Sequence, residues 1–215
     1  MQKKILLTVI LICFVATAVD AQIKKGATLL GGQFGFSSQK NQSDFQNMES
    51  KSLGYNVSPA FGKAIKENLV VGGDITFAYN KNEPYNTLTQ RSFNYGAGLF
   101  VRQYKNLGKD FYLFIQYRLG AGYGSTRTKD DMQPMNDAKS KSYSVEAAIY
   151  PGIAYSISKK IQLEGGLNNL GYIQYSHSNQ RSGNPGYTYK GNNFSLGSSL
   201  SNFGGLTIGF RVLLN

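Results

Sequence analysis

The stretch Phe111-Tyr112-Leu113-Phe114-Ile115-Gln116-Tyr117-Arg118-Leu119-Gly120-Ala121-Gly122-Tyr123-Gly124 sets a glutamine and an arginine inside an otherwise apolar run. Taken at every second residue, it separates into two lists. Phe111, Leu113, Ile115, Tyr117, Leu119, Ala121 and Tyr123 form one. Tyr112, Phe114, Gln116, Arg118, Gly120, Gly122 and Gly124 form the other. A β-strand turns alternate side chains to opposite faces, so one face is greasy throughout and the other becomes polar and glycine-rich. The fold turns on which face meets which solvent.

Seven further segments repeat the pattern. Leu30, Phe34 and Phe36 share a face of the first, about Ala27 to Ser37. In the second, Leu53, Tyr55, Val57, Pro59 and Phe61 alternate with Ser52, Gly54, Asn56, Ser58 and Ala60. The third sets Val71, Ile75, Phe77 and Tyr79 against Gly72, Asp74, Thr76 and Ala78. The fourth sets Phe93, Tyr95, Ala97, Leu99 and Val101 against Asn94, Gly96, Gly98 and Arg102. The quoted stretch is the fifth. Tyr143 to Tyr155 is the sixth, with Glu146 on its polar face. Ile161, Leu163 and Leu167 open the seventh opposite Gln162 and Glu164. Leu206, Ile208, Phe210, Val212 and Leu214 close the chain opposite Thr207, Gly209 and Arg211.

The links alternate in length. Short ones fall at Lys66-Glu67-Asn68, Lys105 to Asp110 and Ser158 to Lys160. Long polar ones fall at Ser38 to Lys51, Asn80 to Gln90, Ser125 to Lys141 and Ser176 to Asn193. Such alternation sends every long link to one end of an up-and-down sheet, and an even strand number returns the C-terminus to the end where the chain began. The polar faces hold Gly, Ser, Ala, Asn and Gln, which suit a narrow lumen, whereas a soluble carrier barrel would turn Lys, Glu and Asp outward. The reading is an all-β, eight-stranded antiparallel up-and-down transmembrane β-barrel, with short periplasmic turns and four long external loops, in the outer membrane of a Gram-negative bacterium.

The N-terminus agrees with export. A basic Met1-Gln2-Lys3-Lys4 precedes the apolar core Ile5 to Val19, and Val19-Asp20-Ala21 offers small residues for cleavage before Gln22. Residues 1–21 are therefore expected to be a signal peptide and 22–215 the barrel domain. Cys13, the single cysteine, lies in the signal, which leaves the barrel without a disulfide or a thiolate metal site. The formal net charge is +11, and about +10 after cleavage removes Lys3, Lys4 and Asp20. The lysines are spread over both barrel ends, which argues against a nucleic-acid patch. They suit anionic lipid headgroups: Lys24, Lys25, Lys63, Lys66, Lys105, Lys109, Lys159 and Lys160 on the periplasmic rim, with Lys81, Arg91 and Lys190 on the lipopolysaccharide side. Tyr79, Phe93, Tyr123, Tyr143 and Tyr155 are placed for interfacial girdles.

Six inward charges need an account: Asp74, Arg102, Arg118, Glu146, Glu164 and Arg211, one on each segment from the third to the eighth. An isolated charge in a narrow lumen costs several kcal/mol, whereas a paired one is tolerated. Three acids balance three arginines, so we expect a structural ion-pair network with Gln116 and Gln162 completing hydrogen bonds, and Arg118–Glu146 as a candidate pair. A charged constriction that selects ions is the rival. No catalytic, cofactor or metal residue is expected. His177 is the single histidine and sits in a polar link without a nearby acid, which argues against a hydrolase triad. Asp130, Asp131 and Asp137 share their link with Arg127, Lys129, Lys139 and Lys141, which argues against a calcium site.

With these features in place, the chain resembles the outer-membrane β-barrel proteins of Bacteroidetes-type bacteria, in the class of small OmpA- and OmpX-like barrels. The last strand, Thr207 to Leu214, is similar to the signal that the barrel-assembly machinery reads. Thr207 is its polar residue, Gly209 stands two later, and Val212 and Leu214 occupy the last alternate apolar positions. The chain departs from that pattern by ending Leu214-Asn215 without an aromatic residue. The resemblance implies a fold and an address, with no catalytic residues. The expected role is structural or adhesive, through the external loops. A narrow pore or small-solute transporter is the alternative, and a lipid A-modifying enzyme a more distant one. The expected partners are outer-membrane lipid and lipopolysaccharide, the assembly machinery, and an extracellular ligand of the loops; the expected state is a monomer.

Overall fold

A computed structural model describes residues 23–43, 48–85, 88–132, 137–167, 170–182, 187–198 and 206–214. The expected signal peptide and its cleavage point lie outside the described residues. The described chain is all β. Ten strands run β1 Thr28–Ser43, β2 Met48–Lys66, β3 Leu69–Tyr85, β4 Leu88–Gly108, β5 Phe111–Asp130, β6 Ala138–Ser156, β7 Ile161–Leu167, β8 Gly171–Ser182, β9 Thr188–Gly197 and β10 Leu206–Leu214. Consecutive strands from β1 to β7 pair antiparallel. β7 then pairs β10, and β10 pairs β1 from Thr28↔Leu214 to Phe34↔Ile208, which closes the sheet on itself. Along that paired span no hydrogen-bonding edge is left open; beyond Phe34, β1 pairs only β2, and β9 pairs only β8, among the described residues.

Ten strands stand where eight were expected: β8 and β9 occupy much of the stretch expected as the last long link, and the expected eighth segment is β10. β7 and β8 lie end to end along β6, with partners Gly152↔Gly166 and Ile149↔Gly171. Pro151 sits on β6 between those points and has no N–H to give a ladder, which favours an irregularity there. The Leu170 amide donates to the Ile149 carbonyl at 2.9 Å and restarts the pairing. β9 pairs β8, and β10 pairs β7, along the same side.

A second difference concerns the long links. β1 and β2 pair from Thr28↔Lys63 to Ser43↔Met48, and β5 and β6 from Phe111↔Tyr155 to Thr128↔Ala138. Most of the residues expected as loops are thus strand. Hydrophobic alternation stops there, but ladder hydrogen bonds do not need it, and Ser, Thr, Asn and Lys carry the strands on as polar ribbons. At the other end the turns are tight. Lys109 and Asp110 both take positive φ, 49° and 66°, the two-residue geometry that matches strand twist.

Side-chain placement is inside-out relative to a soluble domain. Leu99 is 72% and Leu119 61% exposed on the outer wall, while Arg102, Gln162 and Glu164 are each 1% exposed within. Aromatic rows bound the apolar band. Tyr55–Tyr79 and Tyr79–Phe93 ring centroids lie 5.1 and 5.0 Å apart, Tyr123–Tyr143 5.3 Å, and Phe111–Tyr155 mark the opposite rim at 4.7 Å. From Phe111 to Tyr123 the strand runs about 40 Å at ~3.3 Å per residue. A tilt near 45° reduces that to roughly 28 Å of height, close to the ~25 Å band of outer-membrane barrels.

Candidate functional site: the charged lumen

The lumen is filled at the short-turn end and open above. The filling begins with Ile23 and Ala27, both buried ahead of β1; the Ile23 amide donates to Asn68 Oδ1 at 3.1 Å. Leu29, Val70, Phe100, Tyr104, Tyr112 and Phe114 pack with them. Glycines make room for these rings. A Cβ on Gly72 would come within 2.6 Å of the Phe100 ring, and one on Gly152 would overlap the Phe114 ring.

Two charge clusters lie on this base. In the lower one, Glu164 on β7 serves two arginines. Arg102 Nη1 donates to Glu164 Oε1 at 2.5 Å, reaching over from β4, and Arg211 Nε donates to Oε2 at 3.2 Å from β10. Arg102 Nε donates to Gln116 Oε1 at 2.8 Å, its Nη1 meets Tyr104 Oη at 3.0 Å, and its guanidinium lies 4.2 Å over the Phe114 ring. Gln162 Nε2 donates to Ser156 Oγ at 3.1 Å. With two arginines and one glutamate, this cluster has a formal charge of +1.

In the upper cluster Arg118 on β5 reaches across β4 to Asp74 on β3. Its Nε lies 2.9 Å from both carboxylate oxygens and its Nη2 2.7 Å from Oδ1. Gly98 and Gly120 are the reason it can do so: a Cβ at Gly98 would sit 2.7 Å from the guanidinium carbon, and one at Gly120 would overlap Nη1. Glu146 stands further off, 3.9 Å from Arg118 Nη1, and accepts from Tyr150 Oη at 3.2 Å. One arginine and two acids give −1, so the clusters balance.

Beside them is a polar vestibule of about 370 Å³, lined by Asp74, Arg118, Glu146 and Arg211 of the network and by Asn56, Ser58, Asn94 and Gln174. All six inward charges therefore face one lumen, in two groups. The pairing differs from the sequence reading: Arg118 takes Asp74 first, with Glu146 a distant second. Phe100, Tyr104 and Tyr150 are lumen residues that the sequence reading omits, although each shares its parity with Arg102 or Glu146.

The decisive feature is the reversal itself: exposed leucines and aromatics outside, buried ions within, on a closed antiparallel wall. The chain is a transmembrane β-barrel of the outer-membrane type. No protein-family model matches the sequence, and no curated protein matches it. Among solved structures, the barrel is similar to Neisserial surface protein A (13% identity, 86% of this chain and 94% of that one, TM-score 0.38). It is similar also to a major outer membrane protein from Thermus thermophilus (10% identity, 90% and 100%, TM-score 0.46). A third is the translocator domain of the autotransporter NalP from Neisseria meningitidis (10% identity, 87% of each, TM-score 0.42).

The remaining sequence candidates take no part in the ion pairs, although Thr207 lines the vestibule. In the C-terminal strand, Thr207 and Gly209 face inward and are buried, Thr207 Oγ1 donating to the Gly166 carbonyl at 3.3 Å; Val212 and Leu214 face outward. His177 lies on β8 rather than in a loop, paired opposite Tyr143, with Nδ1 2.8 Å from Asn192 Oδ1. Asp137 Oδ1 accepts from the Asp130 amide at 3.0 Å, and no metal-type cluster occurs among the described residues.

Proposed function

We infer that this barrel is a non-enzymatic outer-membrane protein of a Gram-negative bacterium, with a structural or surface-interaction role. We read β7 with β8, and β9 with β10, as two interrupted strands of an eight-stranded monomeric wall, in the OmpA-like class and of Bacteroidetes type, delivered by a cleaved signal peptide. The observation that carries the role is the contrast between the ends. A buried ion network and a packed aromatic base fill the short-turn end, while paired polar strands rise well beyond the upper aromatic rows. A filled lumen suits a scaffold, and a stiff polar collar suits contact with something outside. The six lumen charges act structurally in this reading, fixing strand register and plugging the barrel. Thr207, Gly209, Val212 and Leu214 act as the assembly signal.

The test is to trim the four hairpins to the level of Phe93 and Tyr123. Trimmed protein should still insert and resist SDS until heated, while cells bearing it lose adherence to surfaces or partner cells. Unchanged adherence would remove the adhesive role. The vestibule favours a second reading, small-solute binding or passage, and bilayer conductance separates the two.

A further inference from the structure

Five cations stand in line on the outer wall above the aromatic rows. Direct cross-strand partners run Lys81↔Arg91, Arg91↔Arg127, Arg127↔Lys139 and Lys139↔Arg181, from β3 through β4, β5 and β6 to β8. Directly opposed residues share a face of the sheet. Here it is the face that also carries Phe77, Tyr95 and Tyr143 outward. Lys81 lies four residues beyond Phe77, and Lys139 four beyond Tyr143. That is about 13 Å along the strand and roughly 9 Å in height at the usual tilt, the level of lipid headgroups.

Like charges directly opposite destabilise a sheet. Another opposed pair, Lys40↔Lys51, is relieved by Glu49, which both lysines contact at 2.9 and 2.8 Å. Lys81 has Glu83 at 2.5 Å. Arg91, Arg127, Lys139 and Arg181 are exposed and make no ion pair among the described residues. A cleft of about 190 Å³ opens between Arg127, Lys139 and Arg181, with Thr128, Ser182 and Asp137 also on its walls. Asp137 is the carboxylate there, already engaged by the Asp130 amide.

We propose that this cation line binds the phosphates of a phosphorylated glycolipid in the outer leaflet. Arg91, Arg127 and Arg181 supply planar forks that grip phosphate oxygens in pairs, and Lys139 adds a compact charge. Because the strands tilt, the line itself climbs by roughly 13 Å over its four strand spacings, so it crosses the headgroup layer where lipid phosphates lie, which favours a lipid phosphate over a soluble polyanion. The proposal rests on the transmembrane reading.

Wild type, the line variant Arg91→Gln/Arg127→Gln/Lys139→Gln/Arg181→Gln, and an opposite-rim control, Lys24→Gln/Lys25→Gln/Lys159→Gln/Lys160→Gln, would be placed in phosphatidylcholine nanodiscs. The discs would carry either bisphosphorylated or dephosphorylated lipid A, with lipid retention read by native mass spectrometry. Wild type and control should prefer the phosphorylated form by roughly tenfold or more, and the line variant should lose that preference. If the line variant does not fold by heat-shift gel, Arg127→Gln and Arg181→Gln alone should each lower the preference in part. Equal preference in line and control variants, or none in wild type, overturns the proposal. Heparin bound through the same line without a lipid A preference overturns it in favour of a soluble polyanion. Failure of wild type to enter bilayers at all would instead sink the transmembrane reading.

Discussion

Glu164 holds two guanidinium groups in a packed, water-poor base, whereas Asp74 holds one at the edge of an open vestibule. Their substitutions should therefore differ. Glu164→Gln leaves Arg102 and Arg211 facing each other without a counter-charge and should cost about 3–5 kcal/mol, the range for breaking a buried pair. Asp74→Asn should cost less, because Arg118 keeps Glu146 nearby and is reached by water. Urea unfolding in detergent micelles measures both; an equal or reversed order would mean that the lower cluster does not govern stability. Gly120→Ala tests the corridor of Arg118 separately. Its Cβ must push the guanidinium off Asp74, so we expect a loss of about 1–3 kcal/mol that largely disappears in an Arg118→Met background.

At the scale of the strand, β5 serves two solvents along one ladder. Between Phe111 and Tyr123 its outer face meets hydrocarbon; beyond Tyr123 it carries Ser125, Arg127 and Lys129 into the polar headgroup layer and the solvent above it. A charge placed on that face should thus be read by depth. Leu119→Arg should destabilise the bilayer-inserted barrel by about 2–4 kcal/mol and Ser125→Arg by about 0–1 kcal/mol. Equal penalties at the two positions would dissolve the aromatic boundary as a depth marker. The same strand explains why residues 125–141 resemble a loop in sequence. Their polarity removes the alternation by which a half-buried strand is recognised, while the backbone pairing that keeps them extended leaves no trace in composition. The cation line is hidden for the same reason, since opposition of Arg127 to Arg91 and Lys139 exists only once register is known.

For the whole barrel, the lower lumen decides transport. Phe114, Arg102, Gln162 and Glu164 are each 1% exposed, and Ile23 seals the mouth beneath them. Wild-type protein in a planar bilayer should show no steady ion conductance. Arg118→Ala should lower stability without opening a pore, because the base below it is untouched. Steady conductance in that variant with stability unchanged would favour a gated channel.

Alternation of greasy and small polar residues was enough, by itself, to establish β1 to β7 and β10, the orientation of each face, the aromatic rows and the six inward charges, but not β8 and β9 as separate strands. Each of these follows from a period of two and from the cost of turning the wrong face to lipid, both local properties of the chain. What the tertiary structure alone decided are matters of distance around a closed wall. Arg118 chooses Asp74 over Glu146 because two glycines clear its path across β4, and Glu164 takes Arg211 from the adjacent strand β10 and Arg102 from β4 across the curled sheet. Asp74 is 44 residues from Arg118 along the chain, and Glu164 is 62 from Arg102 and 47 from Arg211. Spacing of that kind cannot rank partners, since closure sets lumen distances by strand height and shear.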